Sequence, residues 1–273
     1  MSTLPMTDGI YLGANLLVPP APPVPDTPAP WIQLSSDGSI VAVDLSNLRN
    51  ASYLFRGMGK TGDTLTVDDI PDATSLDSLL QDNKTIEILD LFCSSSNLTS
   101  VSGLASSASM LRQARVEIPN FAGTFGGFTT CSNLESAVVI VPKSTGLQSN
   151  LFGGCPKLLS VTLTAPKVSS AQYLVYNCPL LSAFSGDLSA LESARYCWRQ
   201  APSLVEFNVT WPLISDLSDA FRDSGLGASE INKILQSLPS YTSGSHVVTF
   251  TGCPGASTCD PTIGTAKGWT VQV

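Results

Sequence analysis

Apolar residues recur along this chain as pairs at a nearly constant interval. Leu54-Phe55, Leu79-Leu80, Leu104-Ala105, Gly127-Phe128, Leu151-Phe152, Leu174-Val175, Cys197-Trp198 and Ala220-Phe221 each open a four-residue signature. The residue closing each signature falls at Met58, Asn83, Ala108, Cys131, Cys155, Cys178, Ala201 and Ser224, so the step is 25 residues twice and 23 or 24 thereafter. Drift this small is insertion into loops, and self-similarity at this period marks a solenoid.

A second apolar anchor follows at fixed offsets from the closing residue: Ile86, Leu89 and Leu91 after Asn83; Leu158, Val161 and Leu163 after Cys155; Leu181 and Phe184 after Cys178; Leu204, Phe207 and Val209 after Ala201. Offsets six and eight share one face of a strand and the residue between them points the other way. Each unit therefore reads as a short strand, a turn, and about one helical turn that carries the Leu-Phe-like pair inward. No unit can bury its apolar side alone, so the units must stack. The predicted fold is an α/β repeat solenoid, a leucine-rich-repeat-like stack of about eight repeats of 23–25 residues with a parallel β-sheet on one face.

The two ends differ from the repeats. Residues 19–30 hold a proline-rich run that suits polyproline II and spans roughly 35 Å, a semi-rigid spacer. Upstream lies a compact apolar segment containing Ile10, Tyr11, Leu12, Leu16 and Leu17, too short to fold alone. Residues 1–30 read as a docking arm, the alternative being a tail that packs back on the first repeat; residues 31–224 read as the solenoid, with Trp31 to Leu45 supplying the first strand, and residues 225–273 as a C-terminal cap. In the cap, Ile231, Ile234, Leu235 and Leu238 predict an amphipathic helix behind a Ser229/Glu230 capping signal, stopped by Pro239. A strand at Val247–Phe250, a short helix at Thr262–Lys267 and a last strand at Trp269–Val273 follow.

Composition narrows the function classes. The chain is 43% hydrophobic and 13% charged, with a net charge of −8. Such a balance argues against nucleic acid, whose binding rests on clustered Lys and Arg, and against anionic membranes. No apolar run reaches the ~20 residues of a membrane-spanning helix, and the N-terminus lacks the pattern of a secretory signal. Cys131, Cys155 and Cys178 hold the same repeat position, which predicts a buried column of thiols rather than a metal site, since no His accompanies them. Cys93 and Cys197 read as core thiols; Cys253 and Cys259 flank a turn-rich loop that could close a disulfide. The single histidine, His246, has no nucleophile motif around it, and Asp68, Asp69 and Asp72 match no calcium loop. No catalytic, cofactor-binding or metal residue is assigned. Sequons at Asn50, Asn83, Asn97 and Asn208 would permit glycosylation of a secreted protein.

The unit from Cys155-Pro156-Lys157-Leu158 through Val161 and Leu163 to Tyr176-Asn177-Cys178 resembles the BspA-type leucine-rich repeat. The tail Thr251-Gly252-Cys253 to Gly268-Trp269-Thr270-Val271 is similar to the closing segment of such arrays in bacteriophage virion proteins, and Ile10-Tyr11-Leu12-Gly13 to the openings of tail-associated ones. The resemblance implies a non-enzymatic virion protein, made in the host cytoplasm and bound to other virion proteins through its arm. It presents the repeats to a host receptor from the tail rather than the head, in fibres that are often trimeric. A capsid decoration protein and a bacterial cell-surface adhesin are the alternatives. A ligand would lie on the exposed sheet positions, with Glu87, Arg112 and Glu135 at offset four and Asp90, Arg115, Thr162 and Asn208 at offset seven.

Overall fold

A computed structural model describes residues 2–5 and 31–273. In chain order the strands are β1 (Ser2–Pro5), β2 (Trp31–Leu34), β3 (Ile40–Asp44), β4 (Asp63–Val67), β5 (Ile86–Phe92), β6 (Gln113–Glu117), β7 (Thr124–Phe125), β8 (Ser136–Ile140) and β9 (Gly146–Leu147). They continue as β10 (Ser160–Thr164), β11 (Ala183–Asp187), β12 (Glu206–Thr210) and β13 (Asp216–Leu217), then helix α1 (Ala228–Ser237), β14 (His246–Thr249), helix α2 (Thr262–Thr265) and β15 (Trp269–Gln272). The chain is a parallel β-solenoid of about nine coils.

Seven parallel strands, in the order β12-β11-β10-β8-β6-β5-β4, form the principal sheet. Their alternation is what the sequence encodes. Leu65, Leu89, Ala114, Ala137, Val161, Phe184 and Phe207 point inward and are buried, while their neighbours point to solvent. The register aligns equal repeat positions: Thr66, Asp90, Arg115, Val138, Thr162, Ser185 and Asn208 pair in one row. A second, thinner parallel ladder runs through the bridges Asn50–Ser75–Ser100 and Ser170–Ser193–Asp216, and ends in the sheet β13-β14-β15.

The Leu-Phe-like signatures form the third side, and here the structure corrects the expected helical turn. The residue before the signature has positive φ in Tyr53, Ser78, Gly103, Asn150, Tyr173, Tyr196 and Asp219, and so does its fourth residue in Gly57, Asp82, Ser107, Thr130, Gly154, Asn177, Gln200 and Asp223. Two left-handed residues within five positions cannot continue an α-helix. The segment instead makes tight turns whose backbone groups bond to the next coil, as in Phe55 N–H to Leu79 O (2.9 Å), Phe152 N–H to Leu174 O (2.8 Å) and Trp198 N–H to Ala220 O (2.9 Å). Among the described residues, only α1 and α2 are helical.

The closing residue seals the turn from inside. Cys131, Cys155 and Cys178 donate their thiols to the carbonyls of Ala105, Phe128 and Phe152 in the preceding coil, at 2.9, 3.0 and 3.0 Å. Asn83 occupies the same position and donates Nδ2 to Phe55 O at 2.7 Å. Cys253 does the same to Phe221 O at 3.1 Å, so Phe250-Thr251-Gly252 is a further signature and its ring stacks on Phe221 at 5.4 Å. The segment read as a cap therefore carries the last coil. Cys253 belongs to the thiol column and, like Cys259, is a free thiol rather than half of a disulfide.

The helix and strands expected in this C-terminal segment are present as α1, β14, α2 and β15. The capping signal differs: Gly227 is the N-cap, without a side-chain cap bond. Glu230 instead accepts the Phe207 N–H at 3.1 Å, so α1 covers the open edge of β12. At the other end, Trp31 to Asp44 forms two antiparallel strands, β2 and β3, rather than one strand of the stack, and β1 pairs antiparallel with β2.

Candidate functional site

The open face of the principal sheet carries every sheet residue singled out from the sequence, and it brings them together in pairs. Arg112 lies between Glu87 (4.0 Å) and Glu135 (3.0 Å), and Arg115 lies between Asp90 (3.8 Å) and Glu117 (2.6 Å). The lateral spacing of parallel strands sets three of these contacts, because equal offsets in adjacent coils sit about 4.8 Å apart, while Glu117 reaches Arg115 from two residues along the same strand. Thr162 shares a hydrogen bond with Ser185 at 3.2 Å, and Asn208 lines a cleft of ≈ 450 Å³ between β12 and α1. Both arginines are paired, and with four carboxylates against two guanidinium groups this cluster keeps an excess of negative charge. Ile10, Tyr11, Leu12, Leu16 and Leu17, the candidate docking arm, lie outside the described residues.

The turn face holds a constellation that the sequence reading did not single out. Tyr173 and Tyr196 occupy the left-handed position before their signatures, with φ of 54° and 62°, and their rings stack at 5.0 Å and 7°. Tyr176 stands edge-on to Tyr173 at 5.8 Å and is 42% exposed. The guanidinium groups of Arg195 and Arg199 lie 5.8 and 5.9 Å from the Tyr196 ring. Arg195 also faces Asp216 at 3.7 Å, whereas Arg199 has no acidic partner among the described residues and its Nε is buried without an acceptor. The signal is present in the sequence, where Tyr173 and Tyr196 precede their signatures at the same offset, one repeat apart.

His246 and the core thiols are held by their surroundings. His246 Nδ1 and Nε2 face the carbonyls of Ser215 (3.1 Å) and Ser243 (3.0 Å), and its ring stacks on Tyr241 at 3.7 Å. Burial pushes the Cys93 thiol up to about 11 and those of Cys178 and Cys197 up to about 12. The Cys155 thiol is raised by its hydrogen bond with Cys131 and by burial. These groups stay protonated, so they are neither nucleophiles nor metal ligands at neutral pH. Among the described residues no three His, Cys, Asp or Glu side chains gather to hold a metal ion, and no helix is long and apolar enough to cross a membrane. No protein-family model matches the chain, and no curated protein matches it.

Proposed function

We propose that this chain is a non-enzymatic structural protein of a tailed-phage virion. In this reading the N-terminal arm holds it to other virion proteins, and the leucine-rich-repeat-like solenoid meets the host surface as a tail fibre or receptor-binding component. The observation that carries the reading is the arrangement of surface side chains in aligned rows, coil after coil, on broad open faces. Such faces suit recognition of an extended partner. The BspA-like unit supports it as well, since Cys155 to Cys178 is one coil, and the phage-like closing segment forms the last coil, with Cys253 and Trp269 buried in it.

A capsid decoration protein is the second reading within the virion, since the same rows would serve attachment to a head lattice. The glycosylated adhesin is weakened at one of its four sequons: Asn83 is fully buried and its amide is spent on Phe55 O and Met58 O. Labelling intact particles with an antibody to the repeats tests the assignment. Label at the tail is the expected result; uniform label on the head would make the chain a decoration protein, and unlabelled particles would overturn the virion assignment.

A further inference from the structure

We propose that the turn face of the two coils bearing Tyr173, Tyr176, Tyr196 and Arg199 binds a carboxylated sugar of a surface glycan. The inference deepens the attachment reading by naming a ligand class, and it moves the site from the sheet to the turns. Several polar side chains on the same turn columns pair with one another: Arg56 with Asp82, Ser107 with Thr130, and Arg222 with Asp219 and Asp223, although Asn150 Oδ1 is buried without a partner. In the two tyrosine coils Arg195 pairs with Asp216, and a cluster of other groups does not pair. Among the described residues the three phenol hydroxyls, the Asn177 and Gln200 amides and the Arg199 guanidinium make no hydrogen bond or ion pair within the chain.

The backbone adds a second observation. Left-handed φ is costly for a bulky residue; in other coils the same column is held by Tyr53, Ser78, Gly103, Asn150 and Asp219, so a tyrosine recurs in adjacent coils only at Tyr173 and Tyr196 among the described residues. Tyr173 and Tyr196 stack face to face there at the expense of local strain, and Tyr176 stands perpendicular to the stack, 42% exposed. A pyranose matches this arrangement: its C–H face meets the electron-rich face of Tyr176, and its hydroxyls meet the phenol and amide groups around it. Arg199, half-buried and without an anion, supplies the charge-assisted contact for a carboxylate. An extended peptide fits less well, because the backbone groups here are spent between coils, as in Gly154 N–H to Tyr176 O, Val175 N–H to Cys197 O and Gln200 N–H to Arg222 O.

The test is a glycan array probed with the full chain, carrying uronic- and nonulosonic-acid saccharides beside their neutral counterparts. Two variants accompany it. Tyr196→Asn removes a ring yet keeps a residue suited to left-handed φ, and Arg199→Gln removes the charge. The expected result is signal at least tenfold stronger on carboxylated glycans. Tyr196→Asn should abolish that signal with the melting temperature unchanged or raised, and Arg199→Gln should equalise acidic and neutral sugars. No signal on any glycan, equal signal on neutral ones, or a Tyr196→Asn variant that melts lower while binding normally would overturn the proposal. Particle labelling is independent of these outcomes, so failure here leaves the attachment reading standing and failure there leaves the sugar site standing.

Discussion

At the scale of single residues, the molecule depends on what satisfies one carbonyl per coil. The second signature carbonyl faces the interior, and the closing residue of the next coil must offer it a donor or leave it short of one. Cys does so weakly at Cys131, Cys155, Cys178 and Cys253, and Asn83 does so strongly. Asn83 also bonds Met58 O and accepts the N–H groups of Thr85 and Ile86, at 2.9, 2.9 and 2.8 Å. Asn83→Ala should therefore cost about 3 kcal/mol, since several buried groups lose their partner together, while Asn83→Cys should cost roughly half of that because the thiol restores one donor. Urea unfolding of the three proteins measures both. The buried thiols set a pH dependence as well. A thiol near 8.5 in the unfolded chain and at about 11 to 12 when folded, as for Cys93, Cys178 and Cys197, contributes stability that is complete below about pH 8.5. That stability is lost as pH rises through the folded values. The urea midpoint should fall between pH 9 and about 12, and at pH 8 the native chain should leave a thiol reagent unreacted except at half-buried Cys259.

At the scale of elements, fit between coils outweighs the propensity of any one strand. Gly186 sits in β11 where its neighbours in the inward row are Leu163 and Val209, and a Cβ there would lie 1.9 Å from Leu163 O. Gly186→Ala should push β11 off β10 and cost on the order of 3 kcal/mol, visible as a lower thermal midpoint. Fit between coils is also carried by rings: Phe184, Trp198, Phe207, Trp211 and Phe221 pack with centroids 4.8 to 6.4 Å apart. The strand rows were legible in the sequence because alternation and a steady interval fix both face and register. The helical turn was a misreading, since Leu-Phe-Arg suits a helix locally, and the left-handed positions are disguised where Tyr173, Tyr196, Thr130 and Gln200 hold them. Cys253 was separated from its column because α1 lengthens the last step from 23 residues to 29. Offsets place the acidic and basic sheet positions in rows but do not reveal that Arg112 and Arg115 are already paired.

At the scale of the whole molecule, the solenoid is closed at its C-terminal end by α1 and carries an antiparallel sheet at the other, so lateral faces are what it offers a partner. One lateral face carries acidic rows in which both arginines are already paired, and another bears unspent tyrosines and an arginine without an acidic partner. Deleting residues 1–30 should leave the solenoid folded by circular dichroism and abolish incorporation into particles, if the arm is the anchor; normal incorporation would assign anchoring to the solenoid itself. The central claim, that the repeats meet the host, is tested most directly by competition. Purified full chain at saturating concentration is mixed with host cells before particles are added, and the rate of adsorption is followed. The expected result is adsorption slowed at least tenfold; an adsorption rate unchanged at saturation would contradict the account.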